Sequence, residues 1–558
     1  MDHNASELPA ESPDTGSAPA TAGTTGADAV RARLAAAGPL ARPQRRLLAL
    51  LAEGSQPLDE LVRRCAVPRR TVEQLLDAAG ADVELVSGEH RLTSEAAARY
   101  RAEFALDEVA NEVATPPDRS AELDALRAFT TSAPRPNTAL DHVSATPETL
   151  LRRAEWLLEN YDLGGAKLLL LGDHDLTSLA VALLAPAGET TGVEITVVDL
   201  DEQVLAHIDR VASERGLAVR TLHADLRFGL PPSVQGSADL VFTDPPYTPE
   251  GVGLFAARAA QCCSGANSRV LLAYGFSDRS PALGLKVQRQ LLRLGLAFEA
   301  VLPGFHRYEG AQAIGSASDL YVCQPTAQAR KLDPDREHRI YTRGAQSVES
   351  GAGEARGTLR EEALRGDPPG GETVREGALR AIEELGGGAV RELSEPDWTR
   401  PVRQRGEVAF DLRADPGPWL LRVLLACEAR EVSLLVRNNH PDTTDSTVQR
   451  GLSELVRDKY ELRFHRSSPD SRHAIVRATS TSDEAADRVR SGLLHRAHGK
   501  LGNRWREALI AASGGALSKR EAKQRVAELA PQPRDLDQRL IDLPRHRLAE
   551  VLASARSR

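Results

Sequence analysis

The middle of the chain is built from short, nearly continuous apolar runs separated by stretches of helical length. The apolar runs cover residues 167–171, 195–199, 219–223, 240–243 and 269–274. Runs of this kind are typical of strands buried on both faces, and the amphipathic stretches between them are typical of crossover helices. The pattern predicts an α/β, Rossmann-like domain with a mainly parallel sheet over residues 135–328. A last pair of strands at 297–302 and 319–323 is expected to close the sheet.

The rest of the sequence does not fit into that core and predicts further domains. The chain has 558 residues, whereas a domain typically takes about 150. Composition predicts a disordered tail at 1–34, a winged helix at 35–105, a linker at 106–134, a flexible Gly- and Pro-containing linker at 329–388, a small α+β domain at 389–480 and a basic helical region at 481–558. The α+β domain shows no recognisable chemistry, and the basic region is interpreted as solvated helices rather than as a site for an anionic partner.

Bulk composition excludes several classes of protein. The net charge of −9 argues against a general nucleic-acid binder and is compatible with a cationic substrate. The five cysteines form no CxxC pair, which predicts no metal site and a reducing compartment. No apolar run approaches about 18 residues, so a membrane span is not expected. These features predict a cytoplasmic protein.

Three short helices and a hairpin predict the winged helix. Arg63, Arg64, Arg69 and Arg70 lie near its third helix and would suit DNA, but Glu73, Asp77 and Asp82 would repel phosphate. We therefore favour a packing or dimerisation module over a DNA-binding one. Nucleic acid is not favoured as a partner, and a homodimer stays open.

The loop after the first predicted strand carries an unusual acidic sequence. Gly172 is followed by Asp173, His174 and Asp175. Ligands of doubly wound sheets bind outside the carboxyl ends of the strands. Two carboxylates there would attract an ammonium group or suit a cofactor that lacks a carboxylate. An acidic turn in which an aspartate caps the next helix is the alternative interpretation.

The next two strands also end in acidic residues. Asp199 ends the second strand and is the predicted ligand of the two ribose hydroxyls, with Asp201 in reserve. Asp225, followed by Leu226, comes after the third strand and could accept a hydrogen bond from an adenine amino group. Each signal is common alone, and the order strengthens it. Together they predict a nucleoside cofactor.

The loop after the fourth strand reads Asp244-Pro245-Pro246-Tyr247. Two prolines restrict the backbone and fix outward-pointing carbonyl groups. Asp244 and such a carbonyl can hold an amine, and the Tyr247 ring can cover a cation. A loop of this composition predicts a functional site rather than a simple turn.

At this point the sequence resembles known families. The Asp-Pro-Pro-Tyr loop is similar to that of amino-group methyltransferases acting on DNA bases. The longer ordered set resembles the branched-chain polyamine synthases, the N4-bis(aminopropyl)spermidine synthases, and comprises Thr146-Pro147-Glu148-Thr149, Arg152-Arg153, 168–178, Asp199-Leu200-Asp201-Glu202, Asp225-Leu226-Arg227, 243–248, Arg307-Tyr308-Glu309-Gly310-Ala311 and Ala313-Ile314-Gly315. The resemblance covers about residues 40–328 and implies an amino-terminal winged helix before a Rossmann-like catalytic domain of the class I methyltransferase type.

The resemblance implies an aminopropyltransferase that uses decarboxylated S-adenosylmethionine as donor, spermidine as acceptor and no metal. A secondary amine must lose a proton to attack the methylene group beside the sulfonium, so a carboxylate is needed nearby. Asp173, Asp175 and Asp244 are the predicted catalytic acids. Pro245, Tyr247, Glu250 and Glu309 are the predicted substrate-binding residues.

His174 departs from the family pattern, which has three aspartates after the glycine, and is kept as a catalytic candidate because histidine can act as a base. His142 is a milder departure where glutamine is expected. One alternative function is an amine or nucleobase N-methyltransferase using intact S-adenosylmethionine, whose carboxylate two aspartates would repel. The other is a catalytically degenerate DNA-binding regulator.

Overall fold

The computed structural model describes residues 26–65, 67–110, 118–185, 192–277, 279–310, 315–334, 339–342, 371–385, 390, 392–404, 406–482 and 486–556. The chain forms two compact units, Met1–Pro117 and Asp118–Arg558. In neither unit is a described helix both long and apolar enough to cross a bilayer.

The first unit contains six helices and a hairpin among its described residues. The helices are α1 (Ala27–Ala37), α2 (Arg42–Glu53), α3 (Leu58–Cys65), α4 (Arg69–Ala79), α5 (Ser94–Glu103) and α6 (Asp107–Ala110), and the antiparallel strands are β1 (Val83–Val86) and β2 (Glu89–Leu92). Val30, Leu47 and Leu75 are fully buried in its core. The three predicted helices correspond to α2, α3 and α4, and the predicted hairpin to β1 and β2. The winged-helix interpretation itself stays a prediction.

A seven-stranded sheet forms the first part of the second unit. Its strands are β3 (Lys167–Leu171), β4 (Glu194–Asp199), β5 (Val219–His223), β6 (Leu240–Thr243), β7 (Arg269–Tyr274), β8 (Leu296–Arg307) and β9 (Ala317–Pro325). The spatial order is β5-β4-β3-β6-β7-β9-β8, with β9 antiparallel to both of its neighbours. The first five strands are parallel and reverse their order between β3 and β6, as in doubly wound Rossmann-like sheets. The predicted fold of this region and its closing strand pair are confirmed.

Helices flank this sheet: α7 (Ser120–Thr131), α8 (Pro147–Asn160), α9 (Thr177–Leu184), α10 (Glu202–Arg215), α11 (Pro249–Cys262) and α12 (Pro281–Arg293). Leu170, Val197 and Leu271 are fully buried in the sheet. Because β3 and β6 are the strands at which the order reverses, the loops after them face a crevice in which ligands of such sheets bind.

The carboxyl-terminal part of the second unit is built on a mixed four-stranded sheet. Its strands are β10 (Glu407–Asp411), β11 (Glu431–Arg437), β12 (Tyr460–Arg466) and β13 (His473–Ser480), in the order β10-β11-β13-β12. The helices are α13 (Gly371–Glu384), α14 (Trp419–Ala426), α15 (Ser446–Val456), α16 (Arg488–Leu494), α17 (Leu501–Ala512), α18 (Lys519–Leu529) and α19 (Arg545–Ser554). Trp419, Val476 and Trp505 share one buried core, and Phe228 of the preceding domain joins it.

Short 3-10 helices occur at Gly38–Ala41, Gly80–Asp82, Thr138–Leu140, Ala329–Lys331, Pro533–Asp537 and Leu540–Asp542. Several segments differ from the sequence expectations. Helix α1 occupies part of the predicted disordered tail, α6 and α7 occupy parts of the predicted linker at 106–134, and α13 occupies part of the predicted flexible linker. Each of these helices buries apolar side chains that composition alone does not reveal, such as Val30, Phe129 and Ile382. Residues 1–25, 311–314 and 343–370 of the predicted tail, motif and linker lie outside the described residues.

Candidate active site

A cavity of about 860 Å³ lies at the carboxyl ends of the parallel strands. Its lining includes ten of the predicted site residues: Gly172, His174, Asp175, Asp199, Asp225, Leu226, Asp244, Pro245, Tyr247 and Glu309. Asp173, Asp201 and Glu250 are not among the lining residues. Asp244, Asp175 and Asp199 therefore line one cavity.

The wall of the cavity is strongly acidic. Six lining residues carry a carboxyl group, namely Asp141, Asp175, Asp199, Asp225, Asp244 and Glu309. Arg135 contributes the lining guanidinium, and Arg153 and Arg227 stand directly behind the wall. Even with all three arginines counted, carboxyl groups outnumber guanidiniums six to three. Such a wall favours a cationic ligand.

Arg153 of α8 joins two of these carboxylates. Its side chain is 1% exposed, and it donates from Nη1 to Asp175 Oδ2 at 2.9 Å and from Nη2 to Asp244 Oδ2 at 2.7 Å. The guanidinium lies 5.0 Å from the centre of the Phe242 ring and also donates to Thr177. A buried ion pair needs such additional hydrogen bonds to offset the loss of hydration. Arg153 thus fixes the loops after β3 and β6 relative to each other.

The Asp244 carboxyl group is surrounded by hydroxyl groups. Tyr247 Oη donates to Oδ1 at 3.0 Å, and Tyr308 Oη lies 2.8 Å from Oδ2. Burial raises the pKa of Asp244 to about 6, against the opposing attraction of Arg153. A carboxyl with a pKa near neutrality can accept and release a proton under ordinary conditions.

Asp175 has a different environment, although Arg153 also binds it. Its Oδ1 accepts the backbone N–H of Ala145 at 2.7 Å, and His174 Nε2 lies 3.3 Å from the same oxygen. Burial would raise the pKa of Asp175, but the attraction of His174 and Arg153 holds it below the usual range. Asp175 therefore stays ionised and is suited to hold cations rather than to exchange protons.

His174 stacks on His142 inside the cavity. The ring centres are 4.4 Å apart and the planes differ by 5°. Burial would lower the pKa of His174, but the carboxylates of Asp175 and Asp244 raise it. Burial and the neighbouring His174 lower the pKa of His142. The two departures from the family pattern thus form a single ring pair, whose surroundings raise the pKa of His174 and lower that of His142.

Asp173 does not have the position predicted for a catalytic acid. Its carboxylate accepts the backbone N–H of Ser178 at 3.2 Å in the first turn of α9, away from the cavity lining. Burial raises the pKa of Asp173 to about 7. The helix-capping alternative left open by the sequence describes this residue better, because its partner is an orphan donor at a helix start.

Asp199 lies at the end of β4 with its carboxylate beside the cavity. Oδ2 accepts from Asp173 N and Oδ1 from Asp201 N, each at 2.8 Å. Each oxygen keeps a second lone pair that a ribose hydroxyl can use. Burial raises the pKa of Asp199 to about 6. Asp201 caps α10 instead, accepting from Gln203 N at 2.9 Å.

Asp225 is held by more donors than the sequence suggests. Its carboxylate accepts from Arg227 N, Nε and Nη2 at 3.0, 2.8 and 2.5 Å, and from Trp419 Nε1 at 2.9 Å. Four donors match the lone-pair sites of a carboxylate. In this arrangement Asp225 is not offered to an adenine amino group, and its packing instead fixes the backbone on either side of Leu226.

The two predicted glutamates differ in their access to the cavity. Glu309 is exposed, lies on the cavity lining after β8 and donates its backbone N–H to Ser144 O at 2.9 Å. Glu250 lies in the first turn of α11 and is not among the lining residues. A carboxylate in the first turn stabilises a helix through the helix dipole. Glu309 therefore keeps access to a ligand, and Glu250 does not have it in this structure.

Sequence reasoning gave no role to three residues that shape the site. Arg153 and Tyr308 stand within the quoted motifs, so their positions were available even though their roles were not. Trp419 follows Asp225 by 194 positions, and no sequence signal links the two.

The comparisons with known proteins cover the same region. Residues 122–343 match the family model described as the branched-chain polyamine synthase A C-terminal domain. The match starts later than the predicted resemblance at residue 40 and extends beyond residue 328.

Curated relatives align with part of the chain. An uncharacterized protein of Methanocaldococcus jannaschii is 33% identical over 220 residues, which are 39% of this chain and 54% of that protein. The N(4)-bis(aminopropyl)spermidine synthase of Thermus thermophilus is 31% identical over 195 residues, or 35% of this chain and 54% of that enzyme. The chain thus spans about half the length of the curated relatives it matches.

Among solved structures, the branched-chain polyamine synthase of Thermus thermophilus in complex with N4-aminopropylspermidine and 5'-methylthioadenosine is 22% identical, with 58% of this chain and 98% of that chain covered and a TM-score of 0.34. The family model and the curated relatives confirm the resemblance stated from the motifs. Residues 122–343 are therefore similar to the branched-chain polyamine synthases.

Proposed function

We propose that this domain transfers an aminopropyl group from decarboxylated S-adenosylmethionine to an amine of a linear polyamine such as spermidine. The observation that carries the proposal is the acidic cavity at the strand ends, whose lining includes six residues that carry a carboxyl group. Donor and acceptor are both cations, so bringing them together requires compensating negative charge. The family names of the relatives support the same reaction.

The donor nucleoside fits the end of the cavity formed by β4 and β5. Asp199 offers carboxylate lone pairs to the ribose hydroxyls, and Leu226 and Tyr341 supply apolar walls for a purine. Gly172 adopts a φ of +73°, and a Cβ there would lie 3.5 Å from the Phe255 ring. Glycine therefore gives the donor close access to the backbone after β3. The donor supplies the sulfonium leaving group.

At the other end, Asp244 is the proposed proton acceptor. The amine nitrogen forms a bond to the methylene carbon next to sulfur while the carbon–sulfur bond breaks and methylthioadenosine leaves. The proton of the amine passes to the Asp244 carboxylate, whose raised pKa suits the transfer. Tyr247 and Arg153 hold this carboxylate in place through the transfer.

Asp175 and Glu309 are the proposed sites for the other ammonium groups of the acceptor. Asp175 is ionised and lines the cavity, and Glu309 lies at its exposed side. The carbonyl of Pro245 is a further acceptor for the reacting amine. Separated negative groups can orient a flexible polyamine so that one nitrogen faces the sulfonium.

The test is mass spectrometry of products after incubating the full chain with decarboxylated S-adenosylmethionine and spermidine. We expect spermidine to gain one or more aminopropyl groups and methylthioadenosine to be released. A parallel reaction with intact S-adenosylmethionine distinguishes the alternative. Methylated product and no aminopropyl product would overturn the proposal.

For residues 35–105 we propose a winged helix used for packing rather than for DNA. Arg63 is paired with Glu60, and Arg69 is paired with Glu73 at 2.8 Å and Asp59 at 3.4 Å. These pairs offset the charge that would contact phosphate. Removal of Arg69 should leave retention on DNA at physiological salt unchanged from background, and specific retention by the full chain would contradict this.

A further inference from the structure

One helix of the carboxyl-terminal part lies against the donor end of the cavity. Trp419, the first residue of α14, donates its indole N–H to Asp225 Oδ2 at 2.9 Å. Three residues later, the fully buried Arg422 is paired with Glu202. Glu202 directly follows Asp201 at the start of α10, so α14 reaches both loops that border the proposed nucleoside site.

Aromatic rings extend this contact to the cavity wall. The Arg227 guanidinium lies 5.1 Å from the centre of the Trp419 ring and 5.4 Å from that of Tyr341, which lines the cavity. Phe228 packs edge-on against Trp419 at 5.2 Å. The indole therefore holds Asp225 and Arg227 through both a hydrogen bond and a ring–cation contact.

We propose that Trp419 is a positioning residue for the donor nucleoside, through which the carboxyl-terminal part sets the geometry of the donor site. Its N–H occupies the lone pair of Asp225 that Arg227 leaves, so the carboxylate has a single orientation. That orientation fixes the backbone at Leu226 and the stack of Arg227 on Tyr341. This inference rests on the proposed function, because it takes the adenosyl group to lie at this end of the cavity.

A second anchor supports the same role. Glu202 Oε2 accepts the backbone N–H of Arg545 at 2.7 Å, while its other oxygen is bound by Arg422. The loop that carries Asp199 and Asp201 is therefore tied to two separate elements of the carboxyl-terminal part. Residues 344–558 lie outside the matched family domain, so these contacts come from the part of the chain beyond it.

The test measures the affinity of methylthioadenosine for the full chain by titration calorimetry, together with the KM values for donor and polyamine. Trp419→Phe keeps the ring and removes the N–H. We expect about tenfold weaker methylthioadenosine binding, equivalent to about 1.4 kcal/mol, and a matching rise in the donor KM. The polyamine KM and kcat should stay at the wild-type values, which general destabilisation would not produce.

Trp398→Phe is the matched control, because Trp398 packs on Phe228 in the same ring cluster without bonding to Asp225. It should bind methylthioadenosine like the wild type. A double-mutant cycle of Trp419→Phe with Asp225→Asn adds a second check. Because the two residues are partners in one hydrogen bond, the losses of binding free energy from the two substitutions should not be additive.

Wild-type affinity in Trp419→Phe, an equal loss in both tryptophan variants or full additivity in the cycle would each overturn the inference. A wild-type chain that binds no methylthioadenosine at all would instead overturn the proposed function, and this inference with it.

Discussion

Each end of the cavity has one buried arginine bound to buried carboxyl groups, but the number of carboxyl groups per arginine differs. At the acceptor end, Arg153 is shared between Asp175 and Asp244. At the proposed donor end, Arg227 donates to Asp225 from Nε and Nη2, and the indole N–H of Trp419 donates to the same carboxylate. The first arrangement shares one guanidinium between two carboxyl groups, whereas the second gives one guanidinium to a single carboxylate.

This difference fits the roles proposed for the two ends. A proton acceptor must change its charge during the reaction, and Asp244 has a pKa raised to about 6 because burial outweighs its share of Arg153. A nucleoside site must keep one shape, and a carboxylate with four donors has little freedom to move. A carboxyl group that shares its arginine therefore suits proton transfer, and a carboxylate with an arginine of its own suits a binding site of fixed shape.

The largest effect is expected from removing the shared arginine. Arg153→Met leaves two buried carboxylates without their shared guanidinium, which should lower stability by about 3–5 kcal/mol and abolish turnover. Thermal denaturation with product assay measures both. The exposed Arg127, paired with Asp124 and Glu148, provides Arg127→Met as a control expected to change stability by about 0.5 kcal/mol or less. Similar melting temperatures for Arg153→Met and Arg127→Met would contradict the stabilising role assigned to Arg153.

Replacing the proposed proton acceptor should slow the chemical step without weakening binding at the proposed donor end. Asp244→Asn keeps the shape of the side chain and loses its basicity, so kcat should fall by about 10²–10⁴-fold. Methylthioadenosine affinity should stay at the wild-type value, because Asp244 lies away from the proposed nucleoside contacts. A kcat close to that of the wild type would remove Asp244 from the reaction.

The donor end should respond in the opposite way. Asp199→Asn weakens the charged hydrogen bonds to the ribose hydroxyls, so methylthioadenosine binding should weaken by about ten- to a hundredfold, with a smaller change in kcat. Asp201→Asn is the matched control, since asparagine caps a helix as well as aspartate does. Calorimetry on both variants shows whether Asp199 or Asp201 binds the ribose. An equal loss of methylthioadenosine affinity in the two variants would contradict the assignment to Asp199.

The smallest effect concerns Asp173, which lies behind the cavity. Its pKa is raised to about 7, so the folded state binds more protons than the unfolded state between about pH 4 and pH 7. Stability from this group is therefore present at low pH and is lost as the pH rises through that window. The Asp173→Asn side chain cannot ionise, so this variant should melt at a higher temperature than the wild type at pH 8 and at nearly the same temperature at pH 5. A larger gain at pH 5 would contradict the assigned burial.

The sheet and the positions of most acidic residues that line the cavity could be predicted from sequence, because both depend on local pattern. The apolar runs at 167–171 and 240–243 define buried strands, and residues that follow parallel strands meet at one edge. Asp199 and Asp244 were found in this way. Their different pKa environments could not be found, since these depend on burial and on partners distant in sequence.

Three details show where the sequence signal stops. The carboxylate of Asp173 accepts a hydrogen bond from α9, while Asp175 lines the cavity. The order of residues in the loop does not show which of the two aspartates lines the cavity. Leu176 takes a φ of +65° at the start of α9, a conformation for which leucine gives no sequence signal. The bond from Trp419 to Asp225 joins two parts of the chain with no shared motif.

The central claim, that Asp244 accepts the proton of the attacking amine, is tested most directly by the pH dependence of kcat with decarboxylated S-adenosylmethionine and spermidine at saturation. Protonation of Asp244 should reduce the wild-type rate as the pH falls through about 6, and this decline should be missing from the residual activity of Asp244→Asn. An unchanged decline at the same pH in the variant would show that another group accepts the proton.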